Sequence, residues 1–142
     1  MVVRLYLAQP IDCSKVCQER IYKIMKFLFV NELYTKIIVC GAGIGEDSPI
    51  INPETSSPEY KGIISAYDLR KIRECDIMLV ISDDNTFAAG TFIEMEYARN
   101  LGLYIIVLWL GKPLKNIFVQ TYANKIIYSY KELEDILRDI TQ

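Results

Sequence analysis

Apolar residues along the chain follow two rhythms. Short continuous runs at residues 2–7, 36–40, 76–81, 103–110 and 125–128 have the length and β-branched content of buried strands. Between them, apolar positions return every three or four residues, the period of a helix with one buried face. A first helix is predicted over residues 14–31, opened by Ser14, with Cys17, Ile21, Ile24 and Leu28 on one side. Further helices are predicted over 59–74, 90–100 and 130–140, with a short irregular or helical piece after Gly111-Lys-Pro. Segments rich in Gly, Pro, Ser, Asn and Asp separate the elements. The longest covers 41–58, more than most connections in a compact domain need.

This alternation predicts an α/β fold: a flavodoxin-like, doubly wound, five-stranded parallel sheet with helices on both faces. No internal repeat or linker divides the 142 residues, so one domain is expected over 1–142. Ligands of such sheets bind beyond the carboxyl ends of the strands, at the point where the winding direction reverses. Residues 8–14, 41–58, 82–94 and 111–115 are therefore the segments where chemistry is expected.

Composition narrows that chemistry. The chain has no histidine, which excludes Ser-His-Asp and Cys-His catalysis and histidine metal sites. Acid-base work must fall to Asp, Glu, Tyr, Cys or Lys. A net charge of -2 provides no field to hold a nucleic-acid polymer or an anionic membrane. The longest apolar run, 103–110, is far short of the ~20 residues that span a bilayer. The opening Met1-Val-Val-Arg-Leu-Tyr shows no signal peptide, and a cytoplasmic location is expected. Cys13, Cys17, Cys40 and Cys75 contain no C-x-x-C pair and read as buried free thiols in a reducing compartment, with no metal.

Three segments carry candidate chemistry. Gly41-Ala-Gly-Ile-Gly45 follows a strand, but Glu46 stands where a dinucleotide fingerprint needs its third glycine, so a turn is expected. Thr91-x-x-Glu94 has the spacing of a capping box, with Thr91 capping a helix and Glu94 bonding back. Glu94 also shares a helical face with Tyr97, Ala98 and Leu101, which should point inward, while Glu96 and Asn100 fall on the solvated side. An acid at that rim can act as nucleophile or base; burial would raise its pKa and the helix N-terminus would lower it. Tyr6, near the end of the first strand, reads as a packed aromatic, or as a phenol that holds Glu94 in one rotamer. Asp68, between Tyr67 and Leu69, reads by pattern as a solvated partner of Arg70 or Lys71.

Together these residues resemble the nucleoside 2-deoxyribosyltransferase family. Arg4-Leu-Tyr-Leu-Ala-Gln-Pro10 resembles its first strand. Tyr67-Asp-Leu-Arg-Lys-Ile-Arg-Glu-Cys-Asp-Ile-Met-Leu79 resembles the segment with its base-recognising aspartate, which falls on Asp68. Gly90-Thr-Phe-Ile-Glu-Met-Glu-Tyr-Ala98 resembles the nucleophile segment and puts the nucleophile at Glu94. The stretch from Gly111-Lys-Pro-Leu to Ala123-Asn124 resembles the one in which an asparagine reaches a neighbouring subunit's sugar. The resemblance implies Glu94, Tyr6 and Asp68 as catalytic residues, and Gln9, Asp83, Asp84, Gly90 and Asn124 as substrate-binding ones. Ala88 stands where the family has a sugar-contacting aspartate, leaving Asp83 or Asp84 as substitutes. Glu96 and Gln9 stand where the family has glycines.

The implied reaction needs no metal or other cofactor. Attack by Glu94 on C1′ of a 2′-deoxynucleoside gives a covalent deoxyribosyl-enzyme, and a second base then takes the sugar with net retention. A protonated Asp68 would supply the proton to the departing base. The implied partners are small-molecule nucleosides and free nucleobases, and the implied state is a homo-oligomer with sites completed across subunits. Two alternatives remain open: a nucleoside or nucleotide N-glycoside hydrolase of the same superfamily, and a non-catalytic nucleotide-binding module.

Overall fold

The computed structural model describes residues 1–8, 15–41, 44, 57–82, 89–111 and 117–142. Within them, β1 (Val3–Ala8), β2 (Ile37–Cys40), β3 (Ile77–Ser82), β4 (Tyr104–Trp109) and β5 (Lys125–Ile127) form one sheet. Every pairing is parallel and the order is β2-β1-β3-β4-β5. The helices are α1 (Lys15–Val30), α2 (Pro58–Arg73), α3 (Ala89–Leu101), α4 (Ile117–Tyr122) and α5 (Tyr130–Ile140). The flavodoxin-like, doubly wound α/β sheet expected from the alternation is the fold observed. The short piece after Gly111 includes the helix α4.

Side-chain alternation assigns each element to a layer. Val3, Leu5 and Leu7 of β1 face a core built with Ile24 and Leu28 of α1 and Leu133 and Leu137 of α5. Tyr6 and Ala8 face the other core, with Ile72 of α2, Met95 and Ala98 of α3, and Val119 of α4. All six residues of β3 are buried, because helices cover both of its faces. This is why the central strands read as unbroken apolar runs. Helix α1 leaves β1 toward one face and α3 leaves β3 toward the other. The winding reverses between these adjacent strands, which makes β1/β3 the switch point.

Two local expectations are corrected. The Thr91-x-x-Glu94 spacing does not form a capping box: α3 already begins at Ala89, so Thr91 lies inside its first turn and is buried. The same spacing does cap α5. There the Ser129 side chain accepts from the Glu132 N–H at 3.3 Å, and the Glu132 carboxylate accepts from the Tyr128 N–H at 2.9 Å. Leu101, expected inward, is 46% exposed because it is the last residue of α3; Met95, fully buried, takes the inward place beside Ala98.

Gly41 ends β2 where the chain passes closely over β1. A Cβ there would lie 2.9 Å from the Leu7 carbonyl oxygen, and φ is +152°. The glycine is thus a steric requirement of this turn. The rest of the Gly-rich segment, apart from Ile44, lies outside the described residues. So do Gln9, Asp83, Asp84 and Ala88.

Candidate active site

The buried residues Tyr6, Asp68 and Glu94 come from three separate elements. Tyr6 is the fourth residue of β1 and points into the layer shared with α2 and α3. Asp68 faces the sheet from α2, and Glu94 faces it from the second turn of α3. Their exposures are 1%, 5% and 8%. Asp68 is therefore not the solvated partner of Arg70 or Lys71 that its neighbours in sequence suggested. Its face of α2 is the one turned to the sheet, together with Ile72 four residues on.

The Tyr6 hydroxyl donates a hydrogen bond to the Glu94 carboxylate. The phenol and the acid thus meet, and Tyr6 is at the same time a packed aromatic of this core. Burial pushes Glu94 up to about 8; the Tyr6 hydrogen bond opposes this and the nearby Asp68 charge adds to it. Of the two influences weighed for Glu94, burial outweighs the helix N-terminus, since its second-turn position lies beyond the strongest reach of the dipole. Burial likewise raises Asp68 to about 6. The Tyr6 phenol is pushed above its ordinary range by burial, with the charges of Glu94 and Asp68 adding, so it remains a donor. Between about pH 6 and 8 the two carboxyls together hold one proton.

One oxygen of each acid, Asp68 Oδ1 and Glu94 Oε2, is buried and has no hydrogen-bond partner among the described residues. A buried polar atom left so costs about 1–3 kcal/mol. Two such atoms, on acids from different helices beside one phenol, mark a place built for donors from elsewhere. Among the described residues no group of His, Cys, Asp and Glu is arranged to hold a metal. No described helix is long and apolar enough to cross a membrane.

The other expected residues are placed differently. Gly90 is exposed in the first turn of α3, with open space where a Cβ would stand. Asn124 precedes β5; its side-chain carbonyl accepts from the Ile105 N–H at 2.7 Å, and its own N–H donates to the Ile105 carbonyl at 2.9 Å. Ile105 lies in the same row of the sheet as Met78 and Tyr6. Asn124 thus stands three strand positions from Tyr6, roughly 14 Å across the sheet. It does not join the Glu94 cluster of its own chain. Sequence reasoning missed its part in pinning β4 to β5, and also the contact between Cys40 and Cys75 on the α2 side. No local spacing signals either, because each joins distant segments.

This architecture has well-matched counterparts among solved structures. A 2-deoxyribosyltransferase from Bacillus psychrosaccharolyticus superposes with a TM-score of 0.73 at 19% identity, covering 93% of this chain and 90% of that one. A conserved protein from Enterococcus faecalis V583 gives 0.73 at 13% identity, covering 98% and 99%. A CMP N-glycosidase from Clostridium botulinum gives 0.55 at 20% identity, covering 95% and 97%. No family model and no curated protein matches the sequence. What these structures share with the chain is the fold, and it is the fold of the 2-deoxyribosyltransferases that the sequence resembles.

Proposed function

We propose that this chain breaks the N-glycosidic bond of a 2′-deoxynucleoside and transfers the deoxyribose to a second nucleobase, with Glu94 as nucleophile. The observation that carries this reading is the buried Glu94–Tyr6–Asp68 cluster at the switch point, with one oxygen on each acid that finds no partner among the described residues. Structural likeness to a 2-deoxyribosyltransferase supports the reaction class.

In this reading the single shared proton directs the chemistry. In the resting site it sits on Glu94, which has the higher pKa. A bound base accepts a hydrogen bond from the Asp68 carboxyl, and positive charge develops at C1′ beside Glu94. Both favour Asp68 protonated and Glu94 ionised. A Glu94 oxygen then bonds to C1′ as the bond from C1′ to the base nitrogen breaks. The departing electron pair takes the proton from Asp68. The incoming base reverses each step: its nitrogen attacks C1′, Glu94 leaves, and a proton returns to Asp68. Tyr6 holds Glu94 in one rotamer throughout. Asn124, exposed and remote from Glu94 in its own chain, would serve the site of a second copy.

Hydrolysis is the second reading, supported by likeness to a CMP N-glycosidase. Water would then capture the same deoxyribosyl-Glu94 intermediate. Incubation with a 2′-deoxynucleoside and a different free base, followed by chromatography, tests both. A new deoxynucleoside supports transfer, and free deoxyribose supports hydrolysis. Neither product, from folded protein across a panel of bases, would overturn the proposal.

A further inference from the structure

A second pair of reactive groups lies on the α2 side of the sheet, separate from the two carboxyls. Cys40 is the last residue of β2, half-buried, and lies beside Tyr6 in the sheet register. Cys75 sits in the turn between α2 and β3 and is buried. Strand alternation turns Cys40 toward the layer that contains Cys75, since Ile37 and Val39 face the opposite core. The turn carrying Cys75 is fixed against β1. The Asp76 N–H donates to the Arg4 carbonyl at 2.8 Å, and the Asp76 carboxylate accepts from the Arg4 N–H at 2.8 Å. The two thiols are in hydrogen-bonding contact and neither is in a disulfide.

The pair is asymmetric. The Cys75 hydrogen bond, with Arg4 and Lys71 adding, holds Cys40 below its ordinary value against the opposing effect of burial. Cys75 is pushed above its ordinary range, first by the hydrogen bond to Cys40 and then by burial. Cys40 is half-buried and Cys75 is buried, so one accessible thiol stands beside one shielded thiol. That is the division of labour needed between an attacking and a resolving cysteine.

We propose that Cys40 and Cys75 form a redox-modification site that takes hydroperoxides. The Cys40 thiolate attacks the peroxide oxygen, giving a sulfenic acid and, from hydrogen peroxide, hydroxide. The Cys75 sulfur then attacks the Cys40 sulfur. The S–S bond forms, the S–O bond breaks, and the Cys75 proton leaves with the hydroxyl as water. Two thiols are oxidised and one peroxide is reduced to two waters. The product ties the edge strand β2 to the end of α2, the helix that carries Asp68 seven residues earlier. The site stands on the geometry of the thiols and does not depend on the reaction proposed at Glu94.

The test treats the reduced full chain with equimolar hydrogen peroxide, alkylates the remaining thiols, and maps the non-reduced digest by mass spectrometry. A Cys40–Cys75 linked peptide, reversed by dithiothreitol, is expected. In C75S the linkage is lost and dimedone traps a sulfenic acid at Cys40; in C40S modification of Cys75 slows at least tenfold. A linkage through Cys13 or Cys17 instead, or no oxidation of Cys40, overturns the proposal. Alkylation of the unmutated protein by iodoacetamide guards against misfolded variants. Cys40, half-buried, should be alkylated before the buried Cys75, and the reverse order would equally overturn the assignment.

Discussion

Replacing Glu94 by Gln tests the chemistry and the electrostatics of the site together. The amide keeps the shape of the side chain, and its oxygen can still accept the Tyr6 hydrogen bond. What it removes is a charge the fold holds at a cost. The Glu94 carboxyl moves from its ordinary 4.5 to about 8 on folding, with burial as the main cause. Each pH unit of such a difference is worth ~1.4 kcal/mol, so ionising Glu94 in the folded protein costs on the order of 5 kcal/mol. The sign follows from the raised value. Wild-type stability is fully present below pH 4.5 and drains away as pH rises through 8. Glu94→Gln lacks this penalty. Relative to wild type, its stability should be nearly unchanged at pH 4.5 and should gain up to about 5 kcal/mol by pH 9. Urea unfolding at a series of pH values measures that difference directly. Taking the slope with pH also cancels any fixed cost of burying an unpaired amide, about 1–3 kcal/mol. The same variant should lose base exchange by roughly a thousandfold or more, because its amide is no nucleophile. A stability difference that stays flat from pH 4.5 to 9 would refute the electrostatic reasoning. Undiminished turnover would remove Glu94 from the reaction.

Four further outcomes follow from the same geometry. The kcat/KM for exchange should be bell-shaped, with limbs near pH 6 and 8, because the pair needs one proton for the base and one ionised nucleophile. Asp68→Asn should lower the rate by about 10²–10⁴-fold and remove the alkaline limb, while Glu94 titrates lower without the Asp68 charge; an unchanged bell would count against Asp68 as the acid. Gly41→Ala should destabilise by roughly 1–3 kcal/mol in urea unfolding, since its methyl meets the Leu7 carbonyl at 2.9 Å; an unchanged midpoint would show that β2 shifts freely there. If Asn124 serves a second copy's site, activity per chain should fall on dilution in step with dissociation followed by sedimentation. Constant specific activity in a monomer would remove Asn124 from the site.

The fold was legible because apolar period and strand length report burial directly. β3 and β4 read as strands from continuous apolar runs, and α5 was placed at both ends by its period. The site was legible in part. Glu94 stood out as an acid on an inward helical face, and Tyr6 as a phenol near a strand end. Asp68 was not legible from its pattern, because charged neighbours at 70 and 71 suggest a wet surface. Only the family resemblance singled it out. Asn124 shows the reverse. The resemblance marks it for substrate, while within its own chain it bonds to Ile105, a contact set by which strands pair.

The two Ser/Thr-x-x-Glu segments show where sequence stops. Their local pattern is the same, yet Ser129–Glu132 caps an exposed helix start and Thr91–Glu94 does not. The deciding facts are that α3 starts two residues earlier and that β1 brings Tyr6 beneath Glu94. The sequence by itself determined the kinds of elements, their order and the exclusion of histidine from any chemistry, since these depend on each segment's own residues. The tertiary structure decided which acids share a proton, which oxygens stay unpaired and which thiols touch. Those properties arise between segments up to about 90 residues apart, where burial sets the local dielectric and strand order sets the neighbours.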